Sequence, residues 1–300
     1  MSHFTVMVFG DNVESLLEPY DENMNIPKYS KGVVSEKEKE EFSKYYIESE
    51  PALKNLTFDQ LYKLKGNDWN DNSWEKDENG LYIEYSTYNP NSKWDWYSIG
   101  GRWSGFFKLK EGKKGEIGEP GFLSNPVEEG YADSTIKSNI DVEGMRNSIE
   151  SYYRKKWKFV NKYIKGLTLE KTWESLLEKS NKEESYSLDD ARKEYYNQPI
   201  IIAFGEAMKE DQKTENRLLD LFSDVKEYVC TEEEYAQLGR DSALTPYAYL
   251  NENGWFQRGE MGWWGIARDE QTISYWNKYF NEMFDKLPDD TKITLVDCHI

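Results

Sequence analysis

Residues 3–10, His-Phe-Thr-Val-Met-Val-Phe-Gly, and residues 292–299, Lys-Ile-Thr-Leu-Val-Asp-Cys-His, bracket this 300-residue chain with short runs of apolar and β-branched residues. Runs of that length and composition suit largely buried strands, and Gly10-Asp11 closes the first. Helical periodicity gathers between them. The pattern predicts an α+β fold in which the first and last strands share a mainly antiparallel sheet beside a helical middle section. No Gly/Ser-rich or Pro-rich linker divides the chain. Residues 1–300 therefore read as a single α+β domain, with a polar insertion or flap at about 20–80 and a helical section at about 141–224.

Local signals place the remaining elements. Asp11 or Asn12 suits the cap of a short helix running to about Glu18, where Pro19 stops it. Further helices are predicted over 35–47, 57–64, 141–164, 168–177, 188–196, 216–222 and 270–284, with Pro288 beyond the last. Glu232-Glu233-Glu234 reads as a solvated helix start after Thr231. Strands are predicted over 81–88, over 94–110 with a break at Gly100-Gly101, and over the apolar run 198–204. Asn89-Pro90-Asn91 is a turn signal, so 81–88 and 94–110 are expected to form a hairpin. The Asn-, Asp- and Trp-dense stretch before Gly80 and the Gly-, Lys- and Glu-rich stretch 111–139 read as loop or exposed ribbon.

The net charge of −18 bounds the partners. It opposes nucleic-acid phosphates and anionic membrane while drawing basic partners in, so duplex binding is not expected. A surface copying the charge of DNA would need massed acids, whereas residues 35–50 interleave Lys with Glu as an ordinary solvated helix does. Only Cys230 and Cys298 occur, which rules out a cysteine-only zinc knuckle or a disulfide framework and suits a reducing cytoplasm. No stretch approaches about 18 consecutive apolar residues and no leader pattern opens the chain, so neither a membrane span nor secretion is expected. Walker, dinucleotide, Gly-x-Ser-x-Gly and His-Glu-x-x-His motifs are missing, and no cofactor or metal is expected.

Two aromatic- and glycine-rich runs hold six of the eleven tryptophans. Residues 89–107 read Asn-Pro-Asn-Ser-Lys-Trp-Asp-Trp-Tyr-Ser-Ile-Gly-Gly-Arg-Trp-Ser-Gly-Phe-Phe, and residues 253–265 read Asn-Gly-Trp-Phe-Gln-Arg-Gly-Glu-Met-Gly-Trp-Trp-Gly. Strand alternation puts Trp94 and Trp96 on one face and Asp95 and Tyr97 on the other, with one face in the core. The structural reading has the tryptophans pack a sheet, Gly100-Gly101 form a bulge, and Arg102 pair with a carboxylate such as Asp95. The binding reading selects Tyr97, Arg102 and Trp103, with Arg258 and Trp263 as the parallel choice, because Arg and aromatics dominate interface hot spots.

The only histidines are His3 on the first strand and His299 on the last, with Asp297 on the same strand face as His299. If those strands are neighbours, His3, Asp297 and His299 converge as an acid–base set or an open metal site; the competing reading is hydrogen-bonded packing. Cys298 points the other way and reads as a small buried hydrophobe.

Residues 1–6 (Met-Ser-His-Phe-Thr-Val), 86–90 (Ser-Thr-Tyr-Asn-Pro) running into 93–103 (Lys-Trp-Asp-Trp-Tyr-Ser-Ile-Gly-Gly-Arg-Trp), and 287–291 (Leu-Pro-Asp-Asp-Thr) with 296–299 (Val-Asp-Cys-His) resemble a family of mostly uncharacterised tailed-bacteriophage accessory proteins. Some relatives carry cysteine pairs before the tryptophan motif that look like a zinc module; this chain lacks them, so no metal carries over. The resemblance implies expression in a host bacterial cytoplasm. Length and composition are also compatible with phage inhibitors of the Gabija defence complex, which bind the nuclease assembly and block its access to DNA.

The leading expectation is a noncatalytic counter-defence protein that binds a host defence complex, alone or as a homo-oligomer, and inhibits it by occlusion. The alternative is a nucleotide-binding protein, either a sponge for immune signals or an enzyme using His3, Asp297 and His299. A structural or host-takeover factor is the third.

Overall fold

The computed structural model describes residues 2–66, 73–121, 126–214, 217–262 and 265–300. The fold is α+β, with the first and last strands in one sheet. The chain divides into two compact units: Met1–His3, Asn12–Tyr97 and Cys298–Ile300 form the first, and Phe4–Asp11 and Ser98–Asp297 the second.

The segment that reads as a polar insertion has a core of its own. In the first unit, Tyr82–Ser86 lies between Tyr29–Val33 and Ser73–Lys76 in an antiparallel sheet. Helices Glu36–Ser49 and Phe58–Lys65 accompany it, and each starts on a capping box, Ser35 with Glu38 and Thr57 with Gln60. Such reciprocal caps satisfy amides that a helix start leaves open. Phe42, Tyr46, Leu61, Trp74 and Tyr82 are buried together, and Tyr62 stacks on Trp74 at 5.4 Å between ring centres. The abundant Lys and Glu occupy outward faces, which is why the segment looks featureless by composition.

The expected hairpin around Asn89 does not form. Tyr82–Ser86 pairs within the small sheet, while Trp96–Gly101 joins the larger one. Asn89 accounts for the separation: it is 2% exposed, and its Nδ2 donates to the carbonyls of Pro19 and Asp21, both at 2.9 Å. The turn is thereby tied to the segment after the first helix. Lys93 donates to the Tyr20 carbonyl, and Trp94 makes an isolated parallel bridge with Asp21. The strand therefore starts at Trp96, and the expected shared face of Trp94 and Trp96 fails: Trp94 is buried and Trp96 is 52% exposed.

The larger sheet runs in the order Gly254–Gln257, Ala248–Asn251, His3–Phe9, Lys292–His299, Trp96–Gly101, Glu119–Pro120, and Ser134–Ile136 also pairs with Lys292–His299. Two pairings are parallel, His3–Phe9 with Ala248–Asn251 and Trp96–Gly101 with Glu119–Pro120, so the sheet is mixed. His3–Phe9 and Lys292–His299 are antiparallel. Ser2 and Ile300 exchange both backbone hydrogen bonds at 3.1 Å, and the Gly10 amide donates to the Lys292 carbonyl.

In the second unit the helix Ile273–Lys286 contributes Trp276, Phe280 and Phe284 to a core with Met7, Phe9 and Leu295. A separate helical core joins Val160 and Ile164 of Val142–Ile164 to Ile200 and Phe204 of Pro199–Asp211 and to Tyr228 and Tyr235. The run 198–204, expected as a strand, begins that helix instead. Pro199 is tolerated in the first turn, and Ile200, Phe204, Ala207 and Asp211 are buried at helical spacing. The helix expected over 216–222 is absent from its described part, 217–222, where the backbone amides of Leu218 and Leu219 donate to Asp211. Tyr131–Ala132 and Ser134–Ile136 are strands inside the stretch read as loop or exposed ribbon, and Ala132, Ser134 and Thr135 are buried rather than exposed. Among the described residues, no helix is long and apolar enough to cross a membrane.

Candidate functional site

In the first unit the two histidines meet. Because Ser2 and Ile300 form a hydrogen-bonded antiparallel pair, the next pair inward, His3 and His299, is of the narrow type whose side chains lie closest. Their rings meet edge to face with centres 5.0 Å apart. His299 Nδ1 lies 2.5 Å from Asp95 Oδ1, and the Asp95 amide donates to the His299 carbonyl at 3.0 Å. A carboxylate on Nδ1 fixes the ring's orientation and leaves Nε2 as its other proton-transfer atom. Trp96 makes an edge contact with His3 at 6.2 Å while remaining half exposed.

Sequence spacing pointed to Asp297 as the third member. The carboxylate partnering His299 is Asp95, and Asp297, 1% exposed, receives the Arg102 amide at 2.9 Å in the second unit. The open metal set does not form: among the described residues, no group of three or more His, Cys, Asp or Glu could hold a metal ion.

The same unit holds a cavity of about 380 Å³ lined by Glu14, Glu18, Asp21, Trp94 and Tyr97, with Asn12 and Ser15. Asn12 caps the helix Val13–Leu17, and the Trp94 indole donates to the Leu17 carbonyl at 3.2 Å. Tyr97 packs edge-on against Trp94 at 5.0 Å; burial, with Glu14 behind it, raises its phenol. Nearby Glu22 is also raised, first by burial and then by Asp95 and Asp21. Crowded carboxylates favour protonation or a cation.

Arg102 and Trp103 belong to a loop of the second unit. Gly100 (φ +76°), Gly101 (φ +52°) and Gly105 (φ +80°) adopt the left-handed backbone that favours glycine. A Cβ at Gly100 would collide with the Asp133 carboxylate and one at Gly101 with Asp297. Asp133 is wholly buried and accepts from Ser104 Oγ (2.7 Å), the Gly105 amide (2.5 Å) and the Gly118 amide (2.9 Å). Two inward carboxylates thus fix a loop whose Arg102 side chain points to solvent without an ion pair among the described residues. Beside it lies a cavity of about 330 Å³ lined by Arg102, Ser104, Val127, Glu128 and Tyr131. Trp103 is half buried against the sheet–helix core.

The second aromatic run contributes less. Arg258 is engaged by Glu270, with Nε to Oε1 at 3.1 Å, and lies over the Tyr247 ring at 5.3 Å. Burial pushes the Tyr247 phenol up to about 12, with Glu270 the next cause. Trp263 lies outside the described residues.

Asp95 and Asp133 carry the geometry that sequence reasoning missed. Asp95 was visible as an acid in the tryptophan motif, but its partner stands 204 positions away. Asp133 had a fainter mark, a lone carboxylate within Tyr-Ala-Asp-Ser-Thr-Ile. No family model, curated protein or solved structure matches this chain.

Proposed function

We propose that this chain is a phage-encoded counter-defence protein that binds a host immune complex, a Gabija-type nuclease assembly in the sharpest form, and inhibits it by occlusion without catalysis. The acidic cavity of the first unit carries the reading: Glu14, Glu18 and Asp21 line it together with Trp94 and Tyr97. That chemistry suits an arginine or lysine of a partner, through charge and cation–π attraction together. Proteins that handle nucleic acid present such cations, and a net charge of −18 speeds their encounter. Phage origin and the host cytoplasm enter through the resemblance carried by residues 1–6, 86–90, 93–103, 287–291 and 296–299. The test is phage challenge of bacteria carrying single defence operons, with co-purification of the defence complex. Glu14→Lys with Glu18→Lys should abolish both capture and protection of the phage. Unchanged immunity in every defence background would sink the proposal.

A second reading is favoured by one observation, the meeting of His3, His299 and Asp95 beside exposed Trp96. An oriented imidazole beside an aromatic face suits a nucleotide, with stacking on the indole and proton transfer at His299. Nucleotide released from heat-denatured protein would support a sponge, and turnover lost in His299→Ala an enzyme.

A further inference from the structure

The loop after the helix Pro199–Asp211 holds two adjacent apolar side chains almost wholly in water: Leu221 is 87% exposed and Phe222 91%. Burying such side chains is strongly favourable, so the pair forgoes a substantial gain while unpartnered. The backbone that holds it out is fixed. Asp211, 1% exposed, accepts the Leu218 amide at 2.9 and 3.0 Å and the Leu219 amide at 2.8 Å. Asp220 accepts the Phe222 amide at 2.9 Å, and its own amide donates to Ser223 Oγ at 3.1 Å. Leu219 is buried as the root of the loop.

Next to this projection lies a cleft of about 380 Å³ lined by Tyr152, Met208, Leu218, Leu219 and Leu221 together with the polar Gln212, Arg217 and Asp220. Leu221 belongs to both features. Arg217 and Asp220 put opposite signs at the same cleft, and Arg217 has no ion pair among the described residues.

We propose that this face joins two copies of the chain about a two-fold axis, with Phe222 of each copy entering the cleft beside Leu221 of the other. A projection and a receptacle side by side on one surface are self-complementary: a two-fold rotation fills both clefts in one step. The loop's charges follow the same logic, since rotation can set Arg217 of one copy against Asp220 of the other. A large unlike partner needs no such adjacency. The inference stands apart from the identity of any host partner.

Two copies each carrying −18 repel one another, so association through an apolar contact tightens as salt screens that repulsion. Sedimentation equilibrium of the full chain should show a monomer–dimer equilibrium that shifts toward dimer from low to moderate salt. Phe222→Ser should weaken it at least tenfold with an unchanged melting temperature for the monomer, because the ring it removes is already in solvent. Tyr152→Arg, which obstructs the cleft, should do the same. An equimolar mixture of the two variants should associate more tightly than either alone, since one intact projection then meets one intact cleft. A chain that stays monomeric at every concentration and salt, a dimer indifferent to both variants, or a mixture no tighter than its components would overturn the proposal.

Discussion

Two loops of the second unit are anchored alike and present opposite chemistry. At residues 100–105, buried Asp133 gathers two amides and a hydroxyl, and exposed Arg102 is displayed. At residues 217–223, buried Asp211 gathers two amides, and Leu221 and Phe222 are displayed. The first loop needs three left-handed glycines and closes so tightly that Cβ atoms would meet the carboxylates; the second manages with no glycine. The difference separates two properties that are easily merged, how firmly a loop is held and what it is held for. Anchoring uses acids turned inward. Display depends on a side chain that the anchor never touches.

That separation can be broken by mutation. The largest effect is expected from Asp133→Ala, which removes the buried acceptor of three part-buried donors and should lower unfolding free energy by about 3–5 kcal/mol in chemical denaturation. Next comes Gly101→Ala, where a left-handed backbone and a collision with Asp297 add to about 2–4 kcal/mol. Asp211→Ala follows at about 2–3 kcal/mol, since fewer donors lose their acceptor; a loss larger than that of Asp133→Ala would reverse the ranking of the two anchors. Smallest are Arg102→Ala and Phe222→Ser, each within about 0.5 kcal/mol on stability. A large stability loss in either would mean that the displayed side chain is part of its anchor.

The sequence carried the elements whose signals are local. Ser35 with Glu38, Thr57 with Gln60 and Thr231 with Glu234 are capping boxes readable within four residues, and their helices start as expected. The first and last strands were also legible, because each is a short run rich in apolar and β-branched residues. What failed depends on distant partners. Residues 198–204 look like a strand in isolation, and only the buried spacing out to Asp211 shows a helix. The Asn89 hairpin was overruled by carbonyls of Pro19 and Asp21. At the site, spacing brought His3 toward His299 but did not disclose Asp95 as the carboxylate on His299, since strand periodicity says which residues share a face and not what the next strand delivers.

The pairing of His3–Phe9 has a consequence in time. Val6 finds its partner at Ala248 on one side, and Gly10 meets Lys292 on the other, so the most apolar strand of the sheet is complete only through contacts of very long sequence separation. Such closure is slow, because the entropy of ordering the intervening chain precedes the reward. Until it occurs, Phe4, Val6, Met7 and Val8 form a bare edge with both hydrogen-bonding sides open, the state most prone to pair with another chain. Slow refolding and loss to aggregation at high concentration are the expected price of a sheet whose centre is assembled last.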